Sequence, residues 1–299
     1  MNTAHPGLPD FDYVKPGSLA EASEFLAEHA GRARPFLGGT DVFVRMRDGF
    51  WPSAYLVDVK HLDGTDELSF DPEIGLTVGA GVNMNRVIAY PLVAEYYPLI
   101  VEACRSVASH QLRSRATIVG NICNASPAGD TIGACLVLKG TLTVHGVDGF
   151  RQEPLETLFA GPGETILKAG DIVTSVILPL PPPGSAGKYI KLGRNAVGDL
   201  AIVGVSVFGY PDPQLPSGYC FRIALASVAP VPLLANEAEA ILANGPINKT
   251  TIAEAAVAAM NACKPIDDVR GSARYRRLMV RNLTRLAVSQ VYQKMTVQA

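Results

Sequence analysis

Cysteine is sparse in this chain of 299 residues, and the five present (Cys104, Cys123, Cys135, Cys220, Cys263) form no CxxC pair and no compact cluster. An odd, scattered set excludes a disulfide framework and an iron-sulfur cluster held by this chain alone, so buried reduced thiols are expected. Histidine is equally thin. His5, His29, His61, His110 and His145 make no HExxH and no His-x-His pair, which removes the usual support for a zinc site. There is no GxSxG nucleophile elbow and no phosphate-binding P-loop. A basic excess is missing too: 26 Lys and Arg face 28 Asp and Glu, for a formal charge of -2. Nothing in that balance attracts a nucleic-acid backbone. The opening MNTAHPGLPDFDYVKPGS lacks a basic segment followed by an apolar one, and no later run is long enough to cross a bilayer. The expectation is a soluble, cytoplasmic protein with no membrane span.

What the chain has is apolar content, 48% hydrophobic against 18% charged residues. This suits a protein that covers part of its surface with other subunits. The length allows two domains. In the first half, short apolar strands alternate with helices. Ser18 to Ala30 reads as a helix capped by Ser18, with Leu19, Ala22, Phe25 and Leu26 at helical spacing. Pro35 to Leu37 reads as a strand, and Val42 to Arg47 as a helix capped by Thr40 or Asp41. Tyr55 to Val59 and Ile74 to Ala80 read as strands separated by a polar turn around His61 to Glu67. Pro91 to Ser109 reads as largely helical, and Thr131 to Leu138 as a short helix after a turn at Ser126-Pro127. The run Pro179-Leu-Pro-Pro-Pro-Gly-Ser185 neither propagates a helix nor donates into an inner sheet, which puts the domain boundary there. Beyond it, Tyr189 to Leu192, Ala201 to Tyr210 and Cys220 to Val228 read as antiparallel strands, the middle one covered on both faces. Two helices, Thr250 to Cys263 and Ser272 to Lys294, close a small α+β unit.

Two glycine-bearing segments stand out. Leu37-Gly38-Gly39-Thr40-Asp41 ends a strand and opens a helix, so that backbone N–H groups can approach a phosphate closely. Thr117-Ile118-Val119-Gly120-Asn121, running on to Asp130, supplies hydroxyls, an amide and a carboxylate ahead of another helix. Either one alone is explained by a tight connection or a routine helix start. Two in one domain, without a catalytic lysine or metal ligands, point to a large phosphate-containing ligand such as a dinucleotide. Gly79-Ala80-Gly81 begins like a Rossmann fingerprint, but Met84 replaces the third glycine, and it reads as a strand end turning tightly.

The segments PFLGGTDVFVRMRDG and TIVGNICNASPAGDT resemble the two FAD-binding loops of the medium subunits in the xanthine dehydrogenase and carbon monoxide dehydrogenase family of molybdenum hydroxylases. FDYVKPGSLAEA, GDIVTSVILPLP, KLGRNAVGDLAIVGVSV and DVRGSARYRRLMVRNLTRLA extend the resemblance in the family's order over nearly the whole chain. The resemblance implies an α+β fold: a vanillyl-alcohol-oxidase (PCMH)-type FAD-binding domain of two subdomains over residues 1–180, then a CO dehydrogenase flavoprotein-like C-terminal domain over 186–299. It implies that Leu37, Gly38, Gly39, Thr40 and Asp41, with Thr117, Ile118, Val119, Gly120 and Asn121, surround the FAD pyrophosphate. Asp130 then holds a ribose or adenosine hydroxyl, and Val107, Ile172 and Val173 are apolar walls. Lys191 approaches the flavin, and Asp199 fixes the loop beside it. Val119 stands where the family commonly has glycine, and Leu200 where some relatives place an aromatic residue beside the isoalloxazine.

The implied activity is electron transfer without a catalytic residue of this chain's own. FAD would take electrons from the [2Fe-2S] clusters of a small partner subunit, fed by a large subunit with a molybdopterin-type molybdenum cofactor, and pass them to an external acceptor. A dimer of heterotrimers is the implied assembly. The insertion for an extra cluster, found in the branch resembling 4-hydroxybenzoyl-CoA reductase, is absent. One rival is a free-standing reductase or oxidase on the same FAD fold, resembling the UDP-N-acetylenolpyruvoylglucosamine reductases. It requires substrate-binding arginines, and Arg274, Arg276 and Arg277 read more simply as a solvated or subunit-contacting helix face. A second rival, a scaffold that has lost the flavin, is opposed by the intact Gly38, Gly39, Gly120, Asn121 and Asp130.

Overall fold

The computed structural model describes residues 7–51, 54–195 and 198–298. His5, and the Ala196-Val197 pair inside the KLGRNAVGDL segment, lie outside the described residues.

The chain opens with β1 (Asp12–Val14), α1 (Leu19–Glu28), β2 (Ala33–Phe36), α2 (Val42–Arg47) and β3 (Tyr55–Asp58), which build a parallel sheet in the order β1-β3-β2. Ser18 caps α1 as its spacing predicts, its Oγ accepting from Glu21 N at 3.1 Å. The helix buries Leu19, Ala22 and Leu26 against Val57 and Val59. At α2 the expectation fails in detail: Asp41 occupies the N-cap position with helical backbone angles and makes no side-chain cap bond.

The second subdomain comprises β4 (Leu68–Asp71), β5 (Gly75–Gly79), α3 (Met84–Ala89), α4 (Pro91–Tyr96), α5 (Pro98–Ser106), α6 (His110–Arg113), α7 (Ile118–Cys123), α8 (Asp130–Val137), β6 (Thr141–Gly146), β7 (Gly149–Pro154), β8 (Phe159–Gly161), β9 (Glu164–Thr165) and β10 (Ile172–Leu178). Its main sheet is antiparallel in the order β4-β5-β10-β6-β7, with β8 and β9 as a separate hairpin. Leu76, Val78, Leu142, Val144 and Val176 from this sheet share one core with α3, α5, α7 and α8. The helix read over Pro91 to Ser109 is two helices. Pro98 sits at the first position of α5, and Tyr97, almost fully buried, donates its hydroxyl to Leu178 O at 3.1 Å. A proline ring cannot continue the preceding helix without displacing a carbonyl, so the chain turns there. The helix expected over Thr131 to Leu138 is present, shifted by one residue to Asp130–Val137, with Gly129 as its N-cap.

The last unit consists of β11 (Ala186–Leu192), β12 (Val203–Pro211), β13 (Tyr219–Ala226), β14 (Leu233–Leu234), α9 (Asn236–Asn244), α10 (Lys249–Ala262) and α11 (Ala273–Gln298). Its sheet is antiparallel in the order β11-β12-β13-β14. Val203, Val205 and Val207 of β12 belong to the core formed with α9, α10 and α11, while Phe208 on the other face joins the core of the second subdomain. The strand is thus covered on both sides, as its run of apolar residues predicts. All eight residues of α8 are buried, and a Cβ on Gly133 would lie 2.8 Å from Ser206 Oγ of β12, so the two units meet at a close helix-on-sheet contact.

Three helices, rather than two, close the chain. The reading of Arg276 as part of a solvated face is overturned. This residue is 2% exposed, and its guanidinium bonds Asp268 at 2.5 Å, Ser227 O at 2.8 Å and Ile202 O at 3.2 Å. Arg274 and Arg277 do face solvent. Arg276 lies two positions after Arg274 and one before Arg277, so it points to another side of the helix, and the hydrophobic side of α11 carries Val280, Ala287, Val288 and Val291 into the core.

Candidate functional site

The cleft that matters opens between the two subdomains of the first unit. Its cavity, about 310 Å³, is walled by the segment between β2 and α2, the start of α7, and the chain from β9 into β10. The first two of these pieces meet because Gly38 has no side chain where it faces the main chain of Arg115. A Cβ on Gly38 would lie 2.1 Å from Arg115 O and 2.7 Å from Arg115 C, so only glycine lets the two backbones come this close. Gly39 has φ +73°, in the left-handed region, and turns the chain out of β2 toward α2.

The opposing segment is anchored from behind by Met84 N donating to Ala116 O at 2.9 Å. Thr117 then caps α7, its Oγ1 accepting from Gly120 N at 2.9 Å. The segment expected to be a glycine-bearing loop is therefore a short helix, and its first turn forms the wall. The N–H groups of Ile118 and Val119 in that turn have no intrahelical carbonyl to bond. Asn121 Oδ1 accepts from Thr131 Oγ1 at 2.7 Å, tying α7 to α8. The third wall is braced by Arg151, whose guanidinium forks onto Asp171 at 2.8 and 2.6 Å. Burial alone would raise the Asp171 carboxyl, but the bonds from Arg151 and Lys168 N outweigh it and hold the group below the usual carboxylate range.

Leu37, Gly38, Gly39, Thr40, Asp41, Val107, Thr117, Val119, Gly120, Asn121, Ile172 and Val173 all border this cavity. Four other residues singled out in the sequence do not. Ile118 is fully buried in the core. Asp199 accepts from the backbone N–H groups of Arg194 at 2.7 Å and Asn195 at 3.0 Å, next to the exposed Leu200. Asp130 and Lys191 bond each other at 2.8 Å, joined by Tyr189, which donates to Asp130 at 2.6 Å, and by Lys191 donating to Ser106 O at 3.1 Å. Burial raises the Asp130 carboxyl against the opposing pull of Lys191 and Tyr189. The sequence reading also missed wall residues, among them Arg34, Trp51, Asn124, Lys168 and Asp171. Arg34 lies on β2 three positions ahead of Leu37, within reach of a reading that looks just outside the glycine motif. Lys168 gave no signal, because the hairpin just ahead of it was not read as strands, and Asp171 was visible only inside the GDIVTSVILPLP resemblance.

Comparison with known proteins identifies the frame around this cleft. The family described as FAD binding domain in molybdopterin dehydrogenase matches residues 9–181, and the CO dehydrogenase flavoprotein C-terminal domain matches 188–291. The chain belongs to the FAD-binding medium subunits of the molybdenum hydroxylases.

Among its relatives, the carbon monoxide dehydrogenase medium chain of Hydrogenophaga pseudoflava is 30% identical, covering 94% of this chain and 96% of that one. The putative xanthine dehydrogenase FAD-binding subunit of Escherichia coli K12 is 25% identical, over 93% and 94%. The solved carbon monoxide dehydrogenase from H. pseudoflava superposes with a TM-score of 0.90 at 28% identity, covering 96% of this chain and 98% of its counterpart. Quinoline 2-oxidoreductase from Pseudomonas putida 86 gives 0.87 at 26% identity, over 96% and 99%. Like these medium subunits, the chain is part of an oxidoreductase and carries the two-subdomain FAD fold followed by the smaller C-terminal domain.

The residues present fit FAD. Asn124 in the cleft wall has a buried Oδ1 without a partner among the described residues, and unpaired buried polar atoms of this kind call for a ligand or water. At Gly38 the cavity is bordered by main chain without a side chain, which suits the close passage of a pyrophosphate. Among the described residues, no group of three His, Cys, Asp or Glu side chains could hold a metal ion, and no helix is long and apolar enough to cross a membrane.

Proposed function

We propose that this medium subunit binds FAD in the cleft between its subdomains, takes electrons from [2Fe-2S] clusters of a small partner subunit and releases them to an external acceptor. The observation that carries the proposal is the meeting of Gly38 and Arg115, which brings the glycine segment and the first turn of α7 to one cavity. Bound FAD supplies the redox chemistry. The chain's own residues bind and orient it: Gly38 to Asp41 and Thr117 to Asn121 around the pyrophosphate, with Val107, Ile172 and Val173 as apolar walls. Lys191 and Asp130 stand at the side of the C-terminal domain, where the flavin would enter. The FAD-binding domain spans 1–180 in this reading and the C-terminal domain 186–299. The assembly is cytoplasmic, with a large molybdenum subunit as third component and the heterotrimer doubled. The burial of Arg276 removes one of the arginines that a free-standing reductase would need.

Purified with its partners, the protein is expected to be yellow and to release about one FAD per chain on denaturation. A colourless preparation that FAD does not reconstitute would refute the proposal. Reduction of the flavin by the molybdenum substrate in the intact complex, and its loss when the small subunit is stripped away, tests the direction of electron flow.

A further inference from the structure

At the wall of the cleft stand two arginines that no salt bridge among the described residues neutralises, although Asp41 in the same wall lies within electrostatic reach of one of them, Arg45. Arg34 borders the cavity, half-buried, with its guanidinium carbon 4.2 Å from the centroid of the Trp51 ring. Arg45, from α2, stands 4.4 Å from the same centroid. Its guanidinium extends as far as the β8–β9 hairpin, where a Cβ on Gly163 would lie 3.2 Å away. Neither arginine takes part in a salt bridge among the described residues, whereas Arg151, which braces the cavity, does. Burial, and then the neighbouring charge of Arg45, lower the pKa of Arg34. Two like charges sharing one indole repel, and a fold keeps such a pair where an anion offsets it. Stacking on an indole also holds a guanidinium flat and removes much of its rotamer freedom in advance, which suits a fork that must meet phosphate oxygens.

We propose that Arg34 is the counter-charge of the ligand's pyrophosphate, with Trp51 and Arg45 as positioning residues that hold its guanidinium against the cleft. The proposal rests on FAD occupying this cleft. Backbone N–H groups of the glycine segments give the pyrophosphate neutral donors, and Arg34 gives it the charge those segments lack. Trp51, which also borders the cavity, has the role of holding the Arg34 guanidinium in place.

The test is titration of the flavin-free full-length chain with FAD, ADP, riboflavin and inorganic pyrophosphate by calorimetry at two salt concentrations. Arg34→Gln is expected to weaken FAD and ADP about ten- to a hundredfold, the range for losing a charged hydrogen-bonding partner. It should leave riboflavin unchanged, flatten the salt dependence of FAD binding and abolish competition by pyrophosphate. Arg34→Lys should restore part of the loss, and Trp51→Leu should weaken ADP in the same direction while Trp51→Phe does so less. Trp51 is the single tryptophan of the chain. Its emission should therefore respond to ADP in the native protein and not in Arg34→Gln. Unchanged ADP affinity and salt slope in Arg34→Gln would overturn the proposal, as would equal losses for ADP and riboflavin. If the native chain binds riboflavin and FAD equally well, the pyrophosphate has no counter-charge and the proposal fails while the flavin reading survives. If it binds neither, both fail.

Discussion

Gly38→Ala is the sharpest probe of the cleft, because its effect comes from one added carbon meeting main chain. Gly38 has no positive φ, so the substitution brings no backbone strain of its own. The new Cβ would stand 2.1 Å from Arg115 O and 3.2 Å from Ala116 N. Carbon–oxygen contacts settle at about 3.3 Å or more, so one wall must withdraw by roughly 1 Å. Arg115 is poorly placed to yield, since its successor Ala116 is bonded on both sides, donating to Leu112 O at 2.8 Å and accepting from Met84 N at 2.9 Å. The segment from Leu37 to Asp41 therefore moves. Overpacking of this kind costs about 1–3 kcal/mol, and misplacing binding groups by about 1 Å weakens what they hold by as much as a hundredfold. The expected result is a folded chain with a modestly lowered melting temperature and FAD affinity down at least tenfold, measured by flavin fluorescence on reconstitution. Gly245→Ala is the control, since a Cβ there meets nothing within 4 Å and the backbone has φ -145°. Gly38→Ala binding FAD as the native chain does would refute the role given to the close approach.

Gly39→Val should fail differently: φ +73° and a Cβ 2.8 Å from the Phe36 ring make it destabilise the fold as well as empty the cleft, so its circular-dichroism melt should shift where that of Gly245→Ala does not. Arg276→Leu leaves Ser227 O and Ile202 O unbonded, and should cost about 2–3 kcal/mol in chemical denaturation, less than a fully buried pair because Asp268 keeps Arg270. Burial would raise the Asp268 carboxyl, but Arg270 and Arg276 hold it well below the ordinary range. Its contribution is therefore complete above the unfolded value of about 3.9 and is lost as pH falls through the lower folded value, so Asp268→Asn should flatten the acid limb of the stability profile. Burial pushes the thiols of Cys135 and Cys263 up to about 12 and raises Cys104 too, so a thiol reagent at neutral pH should label these three only after denaturation.

Elements with a strong local pattern were legible in the sequence. The spacing of Leu19, Ala22 and Leu26 behind Ser18 gave α1 to within two residues, and the apolar run of β12 gave both its strand and its burial. β7, which reads GFRQEP and exposes alternate residues, has no apolar face to announce it, and its pairing with β6 decides its conformation. The same limit hid β4, which begins just past the polar turn read around His61 to Glu67. In the candidate site, the glycine segments were visible because their chemistry is local. Arg34 and Trp51, seventeen positions apart in sequence, come together only through the path of α2. Asp130 and Lys191 were recognisable singly, yet their bond to each other spans sixty-one residues and no spacing rule encodes it.

The bonds that β11 makes have a consequence for the proline strap before it. Lys188 and Tyr189 N reach Glu102 at 3.0 and 2.9 Å, while Tyr189 and Lys191 converge on Asp130. With α8 pressed on β12, the two units hold each other by contacts that do not pass through the covalent link at Pro179 to Ser185. A single peptide-bond break in that stretch should leave both fragments travelling together on a sizing column until denaturant parts them. The linker, for all its stiffness, is a tether, and the joint lies elsewhere.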